Sequence, residues 1–463
     1  MKILSALLLV LMTGSSPAQA TVNSATDSIV IAYRKDTLHS SLLNEDRTIK
    51  VYLPPNFKKN EKYPVLYVLD ESWMFEPTVQ EVRKLTSFNI IPPSIVVGIS
   101  SPDRGKDVSL NFKIGAFSET SKKFSAYIVT ELREFITQHY AASGFNILVG
   151  HSDGASFAQK VLTTYPAAFR GVICLSQNLF GDQLGEFRDF MNQQFTSNIY
   201  YYVASGTRDA TSRIRSGQAL DSLFRLNHNA HLKTKQELFE AEHFGVGGIG
   251  LSGGITFVFS DYYQPNDWNR PLIDSLKKTG ADPEKIIELY TSAVADIYNV
   301  DVKPSRSGVL SLAFAIITNK EQAANYLNYM SKLPPENDQF NSSAAQLYER
   351  IHEYNIALEY WVKYLTDPHT YKGHFFYFRR PIELLAYKMN DGTRAIDFAK
   401  KWEKQAPVLQ LSFSYFIAKI AADKNIRKKE GLNAIEYFIN NYDPSRTQYS
   451  LEEGKKLLEQ LKQ

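Results

Sequence analysis

The stretch Gly150-His151-Ser152-Asp153-Gly154 constrains this chain most, because it follows a short apolar run, Phe145-Asn146-Ile147-Leu148-Val149, and precedes a helix-like run, Ala155 to Leu162. A chain that passes from strand to helix through so tight a turn needs positions without side chains two residues either side of the tip. A serine at the tip then stands exposed above the sheet. The pattern reads as a nucleophile elbow, with Ser152 as the candidate nucleophile. The alternative is an ordinary strand-to-helix turn in which Ser152 caps the helix.

The surrounding text agrees with a sheet covered by helices. From about residue 28 to 260, β-rich runs alternate with helical stretches: Thr48 to Leu53, Val65 to Leu69, Ser94 to Ile99, Asn146 to Val149, Val172 to Leu175 and Ile199 to Ala204, with an amphipathic helix over Phe124 to Tyr140. Several of these runs are apolar throughout, as expected of strands buried on both faces of a largely parallel sheet. The fold class is therefore α/β. Past Tyr262 the turn cluster Gln264-Pro265-Asn266-Asp267 opens a region that is helical in period. Within it an alanine with an aromatic three residues on recurs at Ala323/Tyr326, Ala357/Tyr360, Ala395/Phe398 and Ala434/Tyr437, at intervals of 34, 38 and 39 residues. Such spacing suits stacked helical hairpins. Ala345-Gln346-Leu347-Tyr348 through Tyr354, Ala357, Trp361 and Pro368 resembles a tetratricopeptide repeat; an irregular helical bundle is the alternative.

At 463 residues the chain exceeds one ordinary core. Four segments are expected: a signal peptide over 1–20, an α/β domain over 21–262, a linker over 263–285 and an all-α helical-repeat domain over 286–463. Lys2, the apolar run Ile3 to Met12 and Ala18-Gln19-Ala20 make a charged start, a hydrophobic stretch and a small-x-small cleavage site. Cleavage after Ala20 and a periplasmic or secreted address follow as expectations. No other segment is long and apolar enough for a transmembrane helix. With 52 basic and 49 acidic residues the net charge of +3 points to neither nucleic acid nor an anionic membrane. Cys174, the single cysteine, has no intrachain disulfide partner and reads as a buried core thiol.

A serine needs a base to take its proton, and the base needs an acid to fix its tautomer. The run Tyr200 to Ala204 ends in Ser205-Gly206-Thr207-Arg208-Asp209, which makes Asp209 the leading acid; Asp221, in helical surroundings, is the reserve. Asp209 reads alternatively as a helix N-terminal aspartate. His243, after a strand-like run and before a glycine-rich loop, is the candidate base. His228, His231, His352, His369 and His374 read as surface or packing residues, and His151 as packed against the sheet. A developing oxyanion needs N–H donors from the residue after the nucleophile, Asp153, and from the loop Asp70-Glu71-Ser72-Trp73. Neither H-E-x-x-H nor paired-cysteine spacing occurs, so no metal and no cofactor is expected.

Residues 28 to 262 resemble the esterase D and enterochelin-esterase-like branch of the α/β hydrolases. The resemblance is carried by Tyr63-Pro64-Val65-Leu66-Tyr67-Val68-Leu69-Asp70, by Ile95-Val96-Val97-Gly98-Ile99 with Arg104 and Asp107, by Gly150 to Gly154, and by Glu242-His243 leading to Gly254 to Phe259. It implies carboxylic ester hydrolysis by Ser152, Asp209 and His243, with the second oxyanion donor at Ser72. Glu71 stands where glycine is common in that family, and a carboxylate there would oppose an oxyanion if it pointed inward. Substrates in the family range over siderophore trilactones, acylated sugars, simple esters and thioesters. The expected function is an exported serine esterase acting on a small-molecule ester, with the repeats offering a surface to a protein partner. Acyl transfer by the same triad, and an inert scaffold acting through the repeats, are the alternatives.

Overall fold

The uninterrupted apolar runs of the first half are strands covered on both faces. In this computed structural model, which describes residues 32–262, 283–301, 306–333, 339–370 and 373–463, eight strands form one sheet. They are β1 (Arg34–Ser40), β2 (Glu45–Tyr52), β3 (Tyr63–Val68), β4 (Ile95–Ile99), β5 (Ala142–His151), β6 (Gly171–Leu175), β7 (Ile199–Gly206) and β8 (Leu232–Phe239). Their order is β1-β2-β4-β3-β5-β6-β7-β8; β1, β2 and β4 pair antiparallel, and every pairing from β4 to β8 is parallel. The expected leader over 1–20 and most of the expected linker over 263–285 lie outside the described residues.

Successive strand residues point to opposite faces. Leu66, Val68, Ile147, Val149, Ile173 and Leu175 therefore enter one core, while Val65, Tyr67, Leu148, Val172 and Cys174 enter the other. Helices Glu71–Ser87 and His243–Val258 close the first face, and Asp153–Thr164 and Gln183–Met191 close the second. Cys174 is fully buried, and burial pushes its thiol up to about 12, far from a reactive thiolate.

Two local readings change. The glycine-rich stretch after His243 is a helix, His243–Val258, capped by the Glu242 side chain, which accepts from the Gly245 amide. Its glycines serve contact with the sheet: a Cβ at Gly250 would lie 2.6 Å from that of Ala204, and one at Gly254 would lie 2.5 Å from Ile173 Cγ2. The expected helix over Phe124 to Tyr140 is three pieces, Glu119–Tyr127, a π-helical turn Ile128–Leu132, and Arg133–His139.

After residue 282 the described chain is helical. Helices Phe340–Arg350 and Tyr354–Thr366 form the pair in which the repeat-like text lies. Tyr348 stacks on Tyr360 with ring centroids 5.6 Å apart, and buried Trp361 donates from Nε1 to Glu349 at 2.6 Å. Ala323, Ala357 and Ala395 are fully buried, whereas Tyr437 of the last alanine–aromatic pair is exposed.

The first of these helices, Pro283–Tyr298, seats its last residue against the sheet. The Tyr298 ring packs on Phe145, Tyr200 and Phe259, and its hydroxyl accepts from the Asp261 amide at 3.1 Å and donates to the Val258 carbonyl at 3.2 Å. Ser143 donates to the Tyr298 carbonyl at 3.0 Å. Ser143 and Phe145 begin β5 and Tyr200 begins β7, so this contact lies at the amino ends of the parallel strands. Their carboxyl ends, where ligands bind in open α/β sheets, are at the opposite edge.

Candidate active site

The turn after β5 carries Ser152 at φ 60° and ψ −125°, a conformation that costs energy for any residue with a Cβ. A Cβ at Gly150 would meet the Gly154 carbonyl oxygen at 2.4 Å, so the first glycine of the pentapeptide is sterically required. The turn is fixed by the Ser152 amide donating to Leu175 O at 2.8 Å and by the Ala155 amide donating to Ser152 O at 3.0 Å.

Parallel strands bring their carboxyl ends together, and three side chains distant in sequence meet there. His243 Nε2 lies 3.1 Å from Ser152 Oγ, and His243 Nδ1 lies 3.1 and 3.2 Å from the two carboxylate oxygens of Asp209. The tautomer that lets Nε2 accept from Ser152 carries its proton on Nδ1, facing the carboxylate. The Asp209 side chain is almost fully buried, while that of His243 is 30% exposed. Burial would raise the Asp209 carboxyl, but hydrogen bonds from Ser176, from the Ala210 amide and from His243 bring it below the ordinary carboxylate range. Asp221, the reserve acid, pairs instead with Arg225 at 2.7 Å along its own helix. His231 bonds Asn198 at 3.1 Å and His352 bonds Tyr354 at 2.8 Å, both away from this cluster.

Two arginines brace the turn. Arg104 donates from Nε and Nη2 to Asp70 at 2.5 and 3.1 Å and from Nη2 to the His151 carbonyl at 3.2 Å. Arg213 donates from Nη2 to Asp153 at 3.2 Å and from Nη1 to the Ser176 carbonyl at 2.5 Å. Asp107, named with Arg104 in the sequence, pairs with Arg47 at 2.6 Å in the interior. His151 is buried between Trp73 and Phe244, where its ring lies 4.8 and 5.8 Å from theirs, and its Nε2 donates to the His243 carbonyl at 2.9 Å.

Ser72 and Asp153 stand in the first turns of helices Glu71–Ser87 and Asp153–Thr164, where backbone amides have no acceptor within the helix. The Glu71 carboxylate pairs with Lys50 of β2 at 2.6 Å, and that hydrogen bond holds the lysine above its ordinary value. The charge that would oppose an oxyanion is thus compensated on the sheet. Trp73 and Phe244 stand 36% and 68% exposed beside the cluster, an apolar surface next to the serine.

Sequence reading missed Ser176. It follows β6, is fully buried, donates to Asp209 Oδ2 and lies 2.7 Å from His243 Nδ1. The available signal was its position: a polar residue closing an apolar strand beside the strand that bears Ser152. Among the described residues no group of three or more His, Cys, Asp or Glu is placed to hold a metal ion, and no helix is long and apolar enough to cross a membrane.

Residues 40–226 match the sequence model of a family described as "Putative esterase". An uncharacterized Bacillus subtilis (strain 168) protein, YjcH, is 27% identical over 190 residues, which cover 39% of this chain and 75% of that one. The crystal structure of an uncharacterised protein from Capnocytophaga ochracea DSM 7271 superposes with a TM-score of 0.56 at 18% identity, covering 77% of this chain and all of that one. An IroE-like serine hydrolase from Shewanella oneidensis superposes with a TM-score of 0.50 at 20% identity, covering 69% and 99%. At these identities the two structures speak for the fold.

Proposed function

Since residues 40–226 belong to the esterase branch of the α/β hydrolases and the protein is a carboxylic ester hydrolase, we propose that Ser152, His243 and Asp209 carry its reaction through an acyl-enzyme. One observation carries this reading: His243 Nε2 sits 3.1 Å from Ser152 Oγ while its Nδ1 faces a buried carboxylate. Ser152 Oγ attacks the ester carbonyl carbon as His243 takes its proton. The imidazolium is stabilised by Asp209 and returns that proton to the alcohol as the C–O bond breaks. Water, giving its proton to the same imidazole, then attacks the acyl carbon, and that proton passes to Ser152 Oγ as the acyl C–Oγ bond breaks and the acid leaves. The amides of Ser72 and Asp153 serve as the oxyanion donors.

The exposure of His243 favours hydrolysis over transfer to another acceptor, because water reaches the base. Trp73 and Phe244 supply the wall for the apolar part of a small-molecule ester. We further read the chain as four segments: an exported leader cut after Ala20, which gives a periplasmic or secreted protein, then the catalytic part to 262, a linker over 263–285 and tetratricopeptide-like hairpins over 286–463. The hairpins present a surface for a protein partner, away from the chemistry.

The acid assignment is tested by comparing D209N with D221N on p-nitrophenyl acetate. D209N is expected to lower kcat by orders of magnitude, about 10³-fold or more, with D221N near wild type. The reverse ranking would remove Asp209 from the reaction.

A further inference from the structure

We propose that Ser176 is a positioning residue for this reaction, its hydroxyl tying the acid to the base so that both hold their orientation while the proton moves. The inference rests on the reading that Ser152, His243 and Asp209 carry ester hydrolysis.

Ser176 is the first residue beyond β6, between the strand that bears Ser152 and the strand that leads to Asp209. Its amide donates to Ala204 O at 2.8 Å, and the preceding carbonyl, that of Leu175, accepts from the Ser152 amide at 2.8 Å. Its own carbonyl accepts from Arg213, the guanidinium that also holds Asp153. Ser176 therefore touches both the acid and the base, and it directly follows the residue whose carbonyl holds the elbow.

Both capacities of the hydroxyl are used. Its proton goes to Asp209 Oδ2, and its oxygen lies 2.7 Å from His243 Nδ1, where the ring proton points. Nδ1–H thus has a second acceptor beside the carboxylate, and one carboxylate oxygen is held by a donor that is not the imidazole. Such an arrangement resists rotation of the imidazole away from Ser152 when Nε2 becomes protonated.

The backbone supplies an independent reason. Ser176 has φ 55°, a left-handed conformation that glycine adopts without strain and serine does not. If only the turn mattered, glycine would serve better. A serine at a fully buried, strained position beside two titratable partners points to a task for its side chain.

The experiment separates hydroxyl from backbone. S176G and S176A lose the same hydroxyl but act oppositely on the turn, since glycine relaxes it and alanine does not. The inference predicts that both lower kcat for p-nitrophenyl acetate by about tenfold to a hundredfold with KM within about twofold of wild type. Tm should meanwhile be higher for S176G than for S176A. In a D209N background S176G should cost less than it does in wild type, because the tie between acid and base needs both of its ends. A well-folded S176G with kcat within about twofold of wild type would overturn the inference, as would an equal kcat loss in the wild-type and D209N backgrounds. S152A assayed alongside keeps the two claims apart: an active S152A removes the serine mechanism, whereas an inactive S152A with a wild-type-like S176G removes only the role of Ser176.

Discussion

The imidazole of His151 donates from Nε2 to the backbone carbonyl of His243 at 2.9 Å, so the residue before the nucleophile anchors the main chain of the residue opposite it. The elbow and the helix that starts at His243 are thereby fixed to each other as well as to the sheet. The bond needs a proton on Nε2, which the neutral ring supplies in that tautomer; it is burial that keeps the ring neutral.

That burial sets a pH dependence of stability. Burial presses the His151 imidazole down to about 4; donation to the His243 carbonyl opposes this, while the neighbouring His243, Arg213 and Arg104 add to it. A histidine with a depressed folded-state pKa contributes stability that is complete above its unfolded value of about 6.5 and is lost as pH falls through about 4. Chemical unfolding at about pH 7.5 and about pH 4.5 should show wild type losing about 2–3 kcal/mol more than H151Q, which keeps a donor but does not titrate. Equal losses would mean that His151 is not held neutral.

The helix that carries His243 lies on the sheet through glycines, and substitution there should distinguish packed from open positions. Gly250→Ala forces a Cβ to 2.6 Å from that of Ala204 and should cost about 1–3 kcal/mol while lowering kcat, because the helix must lift. Gly248 has nothing within 4 Å of such a Cβ, so Gly248→Ala should be neutral or stabilising by up to about 1 kcal/mol. Thermal unfolding and ester hydrolysis of the two variants check this; a Gly250→Ala protein as stable as Gly248→Ala would contradict it.

Those glycines also mark where sequence reading stopped. Val65 to Leu69 and Val172 to Leu175 were legible as strands because both faces are buried and every residue is apolar. Arg34–Ser40 was not, since it is an edge strand whose outer residues are solvated. The stretch Gly245 to Gly254 reads as loop by propensity but folds as helix, because close approach to Ala204 and Ile173 outweighs the entropic cost of glycine. Ser152, Asp209 and His243 were legible from a motif and two strand ends. Ser176 was not, because its meaning comes from the neighbouring strands and not from its own surroundings in the chain.

The helical part and the sheet share an apolar core through Tyr298, which bears on where the chain can be cut. A chain ending at Tyr262 leaves Phe145, Tyr200 and Phe259 without their covering ring, whereas one ending at Asp301 retains it. The longer truncation should fold and hydrolyse p-nitrophenyl acetate, and Tyr298→Ala in the full chain should cost about 3–5 kcal/mol with kcat unchanged where the protein is folded. Because this contact lies at the strand ends opposite Ser152, a folded chain ending at Asp301 with no activity on any small ester would show that the later helices complete the active site.

The central claim is that Ser152 is the nucleophile, and its most direct test is covalent labelling. Treatment of the full-length protein with a fluorophosphonate, followed by peptide mass spectrometry, should place one adduct on Ser152 and abolish hydrolysis of p-nitrophenyl acetate in step with labelling. S152A should be folded, unlabelled and slower by about 10⁴-fold or more. Labelling elsewhere with Ser152 unmodified, or an S152A protein that keeps more than a few percent of wild-type activity, would contradict the account.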